Sequence, residues 1–257
     1  MFLEVQRMTR RFGGLHAVDN LSFSIAKGEI VGVFGPNGSG KTTLLNVISG
    51  VYSPSEGEIL WQGKSVSGRP SYEIAQLGVV KSFQNPQLFL ELTVAEHLRI
   101  AGHLRLKRAL GRGRLSAVFP GPAKRRADAL VREKSGEVLR LCRLTDAADE
   151  LAANLSYGGE KMLGVAMALM SDPVLLLLDE PGSGLGREEL DNLDHVLRGL
   201  REHGMTLCVI DHRVGFLGRL ADRAIVLHHG SKIAEGTPDA VLADPAVAAA
   251  YLGHRHA

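Results

Sequence analysis

Long apolar runs are missing from this chain: none approaches the ~18 residues that a helix needs to cross a bilayer. That excludes a helical membrane span, although 45% of the residues are hydrophobic. Cysteine is nearly absent. Cys142 and Cys208 lie far apart, each inside an apolar segment, which excludes a disulfide framework and reads as two buried free thiols in a reducing cytosol. The opening, Met1-Phe2-Leu3-Glu4-Val5, lacks the basic start and apolar stretch of a secretory signal. Ten histidines show no metal-ligand spacing, and His228-His229 and the tail His254-Arg255-His256 read as exposed and incidental. No internal repeat or low-complexity tract is present. With 23% charged residues, 257 residues suffice for one large globular domain or two modest ones.

Net charge is small, +2, but unevenly placed. Arg105 to Lys134 holds ten Lys/Arg against Asp128 and Glu133, so that segment carries +8 and leaves −6 elsewhere. A basic stretch of this kind meets nucleic acid, anionic lipid or an acidic partner, or is a solvated face. Charge alone leaves these open.

What is present is more specific. Gly35-Pro36-Asn37-Gly38-Ser39-Gly40-Lys41-Thr42 fits the phosphate-binding pattern G-x-x-x-x-G-K-[ST] at every fixed position. Before it, Glu29–Phe34 is a short apolar, β-branched run that reads as a buried strand. After it, Thr42-Thr43-Leu44-Leu45 to Ser49 has helical apolar spacing. Strand, glycine loop and helix are what phosphate binding requires. Glycines let the backbone curl around an anion, the loop N–H groups form a nest, and the helix start adds partial positive charge. Lys41 is placed to reach the β- and γ-phosphates, and the Thr42 hydroxyl to bind Mg²⁺.

Further along, Val174–Leu178 is an apolar strand ending in Asp179-Glu180. Such a run is buried on both faces, as in the middle of a parallel sheet, and ligands bind at the carboxyl ends of such strands. Asp179 is therefore a Mg²⁺ ligand candidate, and Glu180 a candidate to orient or deprotonate an attacking water. Glu188–His203 reads as a helix and Thr206–Ile210 as another buried strand. The first 30 residues read as short antiparallel strands about a Phe12–Leu15 turn, and Glu58–Trp61 as one more strand between turn-rich segments. From about Thr93 to Ala153 the pattern becomes helical, with Leu110–Ala123 a Gly/Pro/Arg-rich loop. The expected fold is α/β. A P-loop core with a mostly parallel sheet carries an N-terminal antiparallel β subdomain, and an α-helical subdomain is inserted. As domains, 1–92 and 154–257 form the β subdomain and nucleotide-binding core, and 93–153 the helical insert, of one 1–257 unit.

Between the two motifs, Leu155-Ser156-Tyr157-Gly158-Gly159-Glu160-Lys161 precedes a helical run from Met162 to Met170. It resembles the LSGGQ signature of ATP-binding cassette (ABC) ATPases. Gln84, in Lys81-Ser82-Phe83-Gln84-Asn85, resembles the Q-loop glutamine. His212, after Val209-Ile210-Asp211, resembles the switch histidine. The resemblance implies ATP and Mg²⁺ as ligands, and two cassettes paired head to tail around two ATP molecules. Ser156, Gly158 and Gly159 would then meet the nucleotide of the other subunit. Gln84 would sense Mg²⁺ and the water, His212 would hold the γ-phosphate and Glu180, Phe12 would stack on adenine, and Val18 would flank it.

The resemblance runs nearly end to end and is nearest to ATP-binding subunits of branched-chain amino-acid importers. Arg11–Val18, Gly35–Gly50, Lys81–Phe89, Tyr157 and the ending Glu235-Gly236-Thr237-Pro238 through Tyr251-Leu252-Gly253 carry it. This implies an ATPase at the cytoplasmic face of the inner membrane. Its partners would be a second cassette, integral-membrane permease subunits and, indirectly, a periplasmic substrate-binding protein. The basic insert would lie near anionic headgroups. Rival readings are another cargo, such as urea or lipid, a soluble ABC ATPase acting on nucleic acid, or a nucleotide sensor without turnover. The two-cassette or coiled-coil architecture of the nucleic-acid class is absent, so no nucleic-acid partner is expected, and Glu180 argues against the sensor. Three positions depart from the family pattern: Glu160 for the usual Gln, Gly186 where many cassettes have Asp, and Arg213 where the subgroup has an acid.

Overall fold

The computed structural model describes residues 1–82, 86–102 and 122–252. Gln84, the expected loop up to residue 121 and most of the basic segment lie outside them. The backbone divides into two compact units, Met1–Gln84 with Val174–Ala257, and Asn85–Pro173.

In the first unit the chain opens as a long hairpin, β1 (Leu3–Phe12) and β2 (Leu15–Ile25), paired antiparallel with Phe12 opposite Leu15. The short strands read from the sequence are thus segments of two long ones. Exposed polar residues between Met8 and Leu21 hide the strand pattern, because one face of this hairpin is solvated. Strands β4 (Glu56–Trp61) and β5 (Lys64–Ser65) complete a sheet of order β2-β1-β4-β5.

The second sheet carries the chemistry. Its order is β10-β9-β3-β8-β7-β6, from β3 (Ile30–Phe34), β6 (Val79–Lys81), β7 (Leu175–Asp179), β8 (Thr206–Ile210), β9 (Arg223–His228) and β10 (Ser231–Gly236). Only the β9–β10 pair is antiparallel. Every residue of β3, β7 and β8 is buried, as expected for parallel strands covered on both faces. Val33 and Asp179 both sit opposite Ile210, so β3, β8 and β7 end together at one edge. Helix α1 (Lys41–Ile48) buries Leu44, Leu45, Val47 and Ile48 in one core with Leu3, Val5, Met8 and Ile59 of the first sheet and Leu175, Leu177 and Ile210 of the second. On the opposite face of β3, a Cβ at Gly32 would lie 3.0 Å from Ala221 Cβ, which follows α7 (Val214–Leu220). Helices α2 (Ser71–Gln76), α6 (Arg187–Glu202), α8 (Pro238–Leu242) and α9 (Pro245–Leu252) complete the unit.

The second unit is helical: α3 (Val94–Ala101), α4 (Pro122–Leu141) and α5 (Tyr157–Leu169), with a 3₁₀ turn at Ala152–Asn154. Two boundaries differ from the sequence reading. Pro122 and Ala123 belong to α4 rather than to a loop; proline suits a helix's first position, where its missing N–H leaves no bond unmade. Helix α5 begins at Tyr157, not Met162, because Ser156 caps it and the paired glycines do not prevent helix entry. Part of the basic segment is neutralised locally: Lys134 pairs with Glu137 at 3.1 Å and Asp172 at 3.2 Å.

Candidate functional site

The loop after β3 is held in shape by two glycines. Gly35 (φ 146°) and Gly40 (φ 99°) occupy conformations that L side chains rarely adopt, and a Cβ would overlap the Leu227 carbonyl at the first and the Ala17 carbonyl at the second. Gly230 N–H donates to Ser39 O at 3.1 Å, so the β9–β10 turn braces the loop from behind. Asn37, Gly38 and Thr42 face solvent, Pro36 and Thr43 are half-buried, and Ser39 is buried. Helix α1 starts from Gly40 with no side-chain cap and no acidic residue in its first turn. Its first N–H groups are therefore available to an anion.

Lys41 is 5% exposed and donates to the Gly35 and Pro36 carbonyls at 2.8 and 2.9 Å. Burial lowers its pKa, against the opposing pull of Glu180, Asp179 and Asp211. Those three carboxylates come from the ends of β7 and β8. Asp179, with a side chain 2% exposed, accepts from the Thr42 hydroxyl at 3.3 Å through Oδ1. Two hard oxygen donors thus converge beside the loop, a set that suits Mg²⁺. Glu180 has φ 50°, unusual for a non-glycine residue, and its N–H bonds Ile210 O at 2.8 Å. His212 Nδ1 lies 3.9 Å from Glu180 Oε2 and equally far from Asp211 Oδ1.

Phe12, 39% exposed, has the Arg10 guanidinium 4.5 Å over its ring and the Tyr52 ring edge-on at 5.2 Å. Val18 is fully buried in the core, and its Cγ2 lies 3.3 Å from where a Cβ on Gly40 would stand, so it packs beneath the loop. In the second unit, Ser156 caps α5 by accepting from Gly159 N–H at 3.1 Å, and the Tyr157 ring stands 5.4 Å from the Lys161 ammonium.

Four participants escaped the sequence reading. Asp211 is fully buried and accepts from Gly182 N–H and Arg213 N–H, both at 2.9 Å, fixing the backbone just beyond His212 and beyond Glu180. Lys81 bonds Asp179 and Asn46. Burial raises the pKa of the Tyr251 hydroxyl, with the Gly35 backbone opposing, yet it makes no hydrogen bond of ordinary geometry among the described residues. A polar residue at the end of an apolar strand was the available signal for Asp211 and Lys81; nothing local marked Asn46 or Tyr251.

A glycine cradle, an uncapped helix start and strand-end carboxylates at the carboxyl edge of a parallel sheet define a nucleotide-binding P-loop protein. Comparison with known proteins takes this further. Residues 18–183 match the ABC transporter family and residues 231–257 the branched-chain amino acid ATP-binding cassette transporter family. The chain belongs to the ABC transporter ATP-binding family, whose activity is ATP hydrolysis. It is 38% identical over 252 residues to the high-affinity branched-chain amino acid transport ATP-binding protein BraF of Pseudomonas aeruginosa, covering 98% of this chain and 97% of the relative. LivG of Escherichia coli, with the same description, matches equally in identity and coverage. Among solved structures, the ADP conformation of an ATP-binding cassette of an ABC transporter superposes with a TM-score of 0.83 at 32% identity, covering 98% of each chain. A dimeric post-hydrolysis cassette bound to ADP and Pi gives 0.74 at 25% identity, covering 92% of this chain and 98% of that one. No helix among the described residues is long and apolar enough to cross a membrane.

Proposed function

We propose that this chain is the ATP-hydrolysing subunit of an importer of branched-chain or related amino acids. On this reading it acts as one cassette, with 93–153 an inserted module, at the cytoplasmic face of the membrane. It works with a second cassette, with permease subunits, and indirectly with a periplasmic binding protein. The observation that carries the reading is the meeting of the Thr42 hydroxyl and Asp179 carboxylate beside the glycine loop and Lys41, at the sheet edge where Glu180 and His212 also stand. The match of residues 231–257 to the branched-chain subgroup supports the cargo.

The loop from Gly35 to Thr43 binds and orients the phosphates through its backbone N–H groups, Pro36 lacking one, and Lys41 exchanges its two carbonyl partners for phosphate oxygens. Thr42 and Asp179, joined by Gln84, would hold Mg²⁺, which when bound neutralises charge on the β- and γ-phosphates. Glu180 orients the attacking water and accepts its proton as the terminal P–O bond breaks, giving ADP and phosphate. His212, kept in place by the bond Asp211 accepts from Arg213 N–H just beyond it, positions Glu180 and the γ-phosphate. Phe12 is the stacking surface for the base. Ser156, Gly158 and Gly159 are offered to the nucleotide of a second cassette, where an N-capped helix start is again an anion site.

Glu180→Gln is expected to bind ATP normally, lose at least about a hundredfold in turnover, and accumulate as an ATP-bound dimer in size-exclusion chromatography. Unchanged turnover would remove Glu180 as the base. Lys41→Ala should weaken nucleotide binding by tenfold or more, roughly one charge-assisted contact, measured by calorimetry. Leucine uptake into vesicles carrying the assembled transporter tests the cargo, with urea as the contrasting substrate.

A further inference from the structure

Asp179 is held by both oxygens. Oδ1 accepts from Thr42 on α1, and Oδ2 lies 3.0 Å from Lys81 Nζ. Lys81 is the last residue of β6 and pairs in register with Leu177 of β7, two residues before the acid. Its ammonium also donates to Asn46 Oδ1 of α1 at 2.7 Å. The second lysine of the neighbourhood, Lys41, is engaged with the Gly35 and Pro36 carbonyls. Of the two, Lys81 is therefore the one in direct contact with the carboxylate. Its side chain is 19% exposed and that of Asp179 only 2%, so water screens the pair weakly.

A buried carboxylate next to a polyphosphate is a like-charge contact, unfavourable unless a cation stands between or beside them. Mg²⁺ removes that repulsion in one way; an ammonium already bonded to the carboxylate removes it in another. We propose that Lys81 is a positioning residue and resident counter-cation of Asp179. It holds the acid toward Thr42 and neutralises it, so that this cassette binds nucleotide with a reduced dependence on Mg²⁺. The inference rests on the reading of Asp179 as a metal ligand.

The test is calorimetric titration of the full chain with ADP, in excess Mg²⁺ and in EDTA, for wild type, Lys81→Met, Lys81→Gln and Lys81→Arg. Removing the charge exposes the repulsion in EDTA and removes a competitor of Mg²⁺ for Asp179. Both effects raise the ratio of Kd in EDTA to Kd in Mg²⁺. The ratio is expected to rise at least about tenfold in the Met and Gln variants, and to stay near wild type in Arg, which keeps the charge. An unchanged ratio in a neutral variant that melts cooperatively overturns the proposal. The Gln variant keeps a donor for Asp179 and Asn46, and it decides the matter if Met does not fold. Wild-type chain that fails to bind ADP in either buffer overturns the nucleotide reading itself. Wild-type binding with an unchanged ratio in the neutral variants overturns only the role of Lys81.

Discussion

At the residue scale, the site is governed by what the backbone forbids. Gly40 takes φ 99° with the Ala17 carbonyl where a Cβ would be. Alanine there meets both strain and overlap, so Gly40→Ala is expected to lower stability by about 2 kcal/mol or more. A urea melt gives the stability, and ADP affinity should fall with it because the loop N–H groups lose their common focus. Glu180 is the converse case. A side chain has been kept at φ 50°, a conformation that carries about 1 kcal/mol of strain for a non-glycine residue. Its N–H is tied to Ile210 O, and that bond fixes the direction in which its carboxylate leaves β7. Glycine would relieve the strain and remove the base; the strained acid is consistent with a residue retained for its chemistry.

At the element scale, short helices depend on their ends. Helix α3 opens with a full capping box: Thr93 Oγ1 accepts from Glu96 N–H at 3.2 Å, and Glu96 Oε2 accepts from Thr93 N–H at 2.8 Å. The Thr93 N–H and the Thr93 hydroxyl, both donating to Glu96 Oε2, hold the Glu96 carboxyl below the usual carboxylate range. Within the same helix His97 is fully buried, with Nδ1 2.8 Å from Thr93 O and Nε2 accepting from Phe89 N–H at 3.0 Å. The cap thus anchors both the helix and the segment leading into it. Thr93→Ala is expected to cost about 1–2 kcal/mol, read as faster amide hydrogen exchange across Val94–Ala101 and at Phe89. The sequence carries a local signal for this start that the helical pattern alone did not use, since Thr93-Val94-Ala95-Glu96 has the spacing of such a box. It marked the α5 start less well. Two adjacent glycines there lower intrinsic helix propensity, and only the bond from Gly159 N–H to Ser156 shows that the helix has already begun.

At the scale of the whole molecule, each compact unit contains one free, buried cysteine: Cys208 in the first and Cys142 in the second. Burial pushes both thiols up to about 12 from an ordinary 9.0. Between those values an unfolded thiol releases its proton and a folded one keeps it. Stability is therefore intact below pH 9 and falls as pH rises toward 12, by about 1.4 kcal/mol per pH unit for each thiol in its own unit. Urea melts between pH 8.5 and 10.5 should show this fall, and Cys142→Ala/Cys208→Ala should flatten it. An equal slope in the double variant would place the alkaline sensitivity elsewhere. Because the thiols lie in different units, their labelling rates in native buffer report the opening of each unit separately.

Determined by sequence alone were the features in which a residue's neighbours along the chain set the outcome. Strand, glycine loop and helix at 29–49 are fixed by β-branched burial, left-handed glycine and helical apolar spacing. The acids that end β7 are fixed by an apolar run that must be covered on both faces. Family membership was legible for the same reason, since its motifs are contiguous. The tertiary structure alone decided which side chains remote in sequence touch. The sheet order puts β6 beside β7, and only that adjacency brings Lys81 to Asp179 across nearly a hundred residues. The order also places β8 between β3 and β7, so that Asp211 can brace Gly182. Packing of β2 beneath the loop buries Val18, which nothing along the chain reveals. Periodicity fixes backbone conformation and which face is apolar; the distance between two charges depends on how the whole sheet closes.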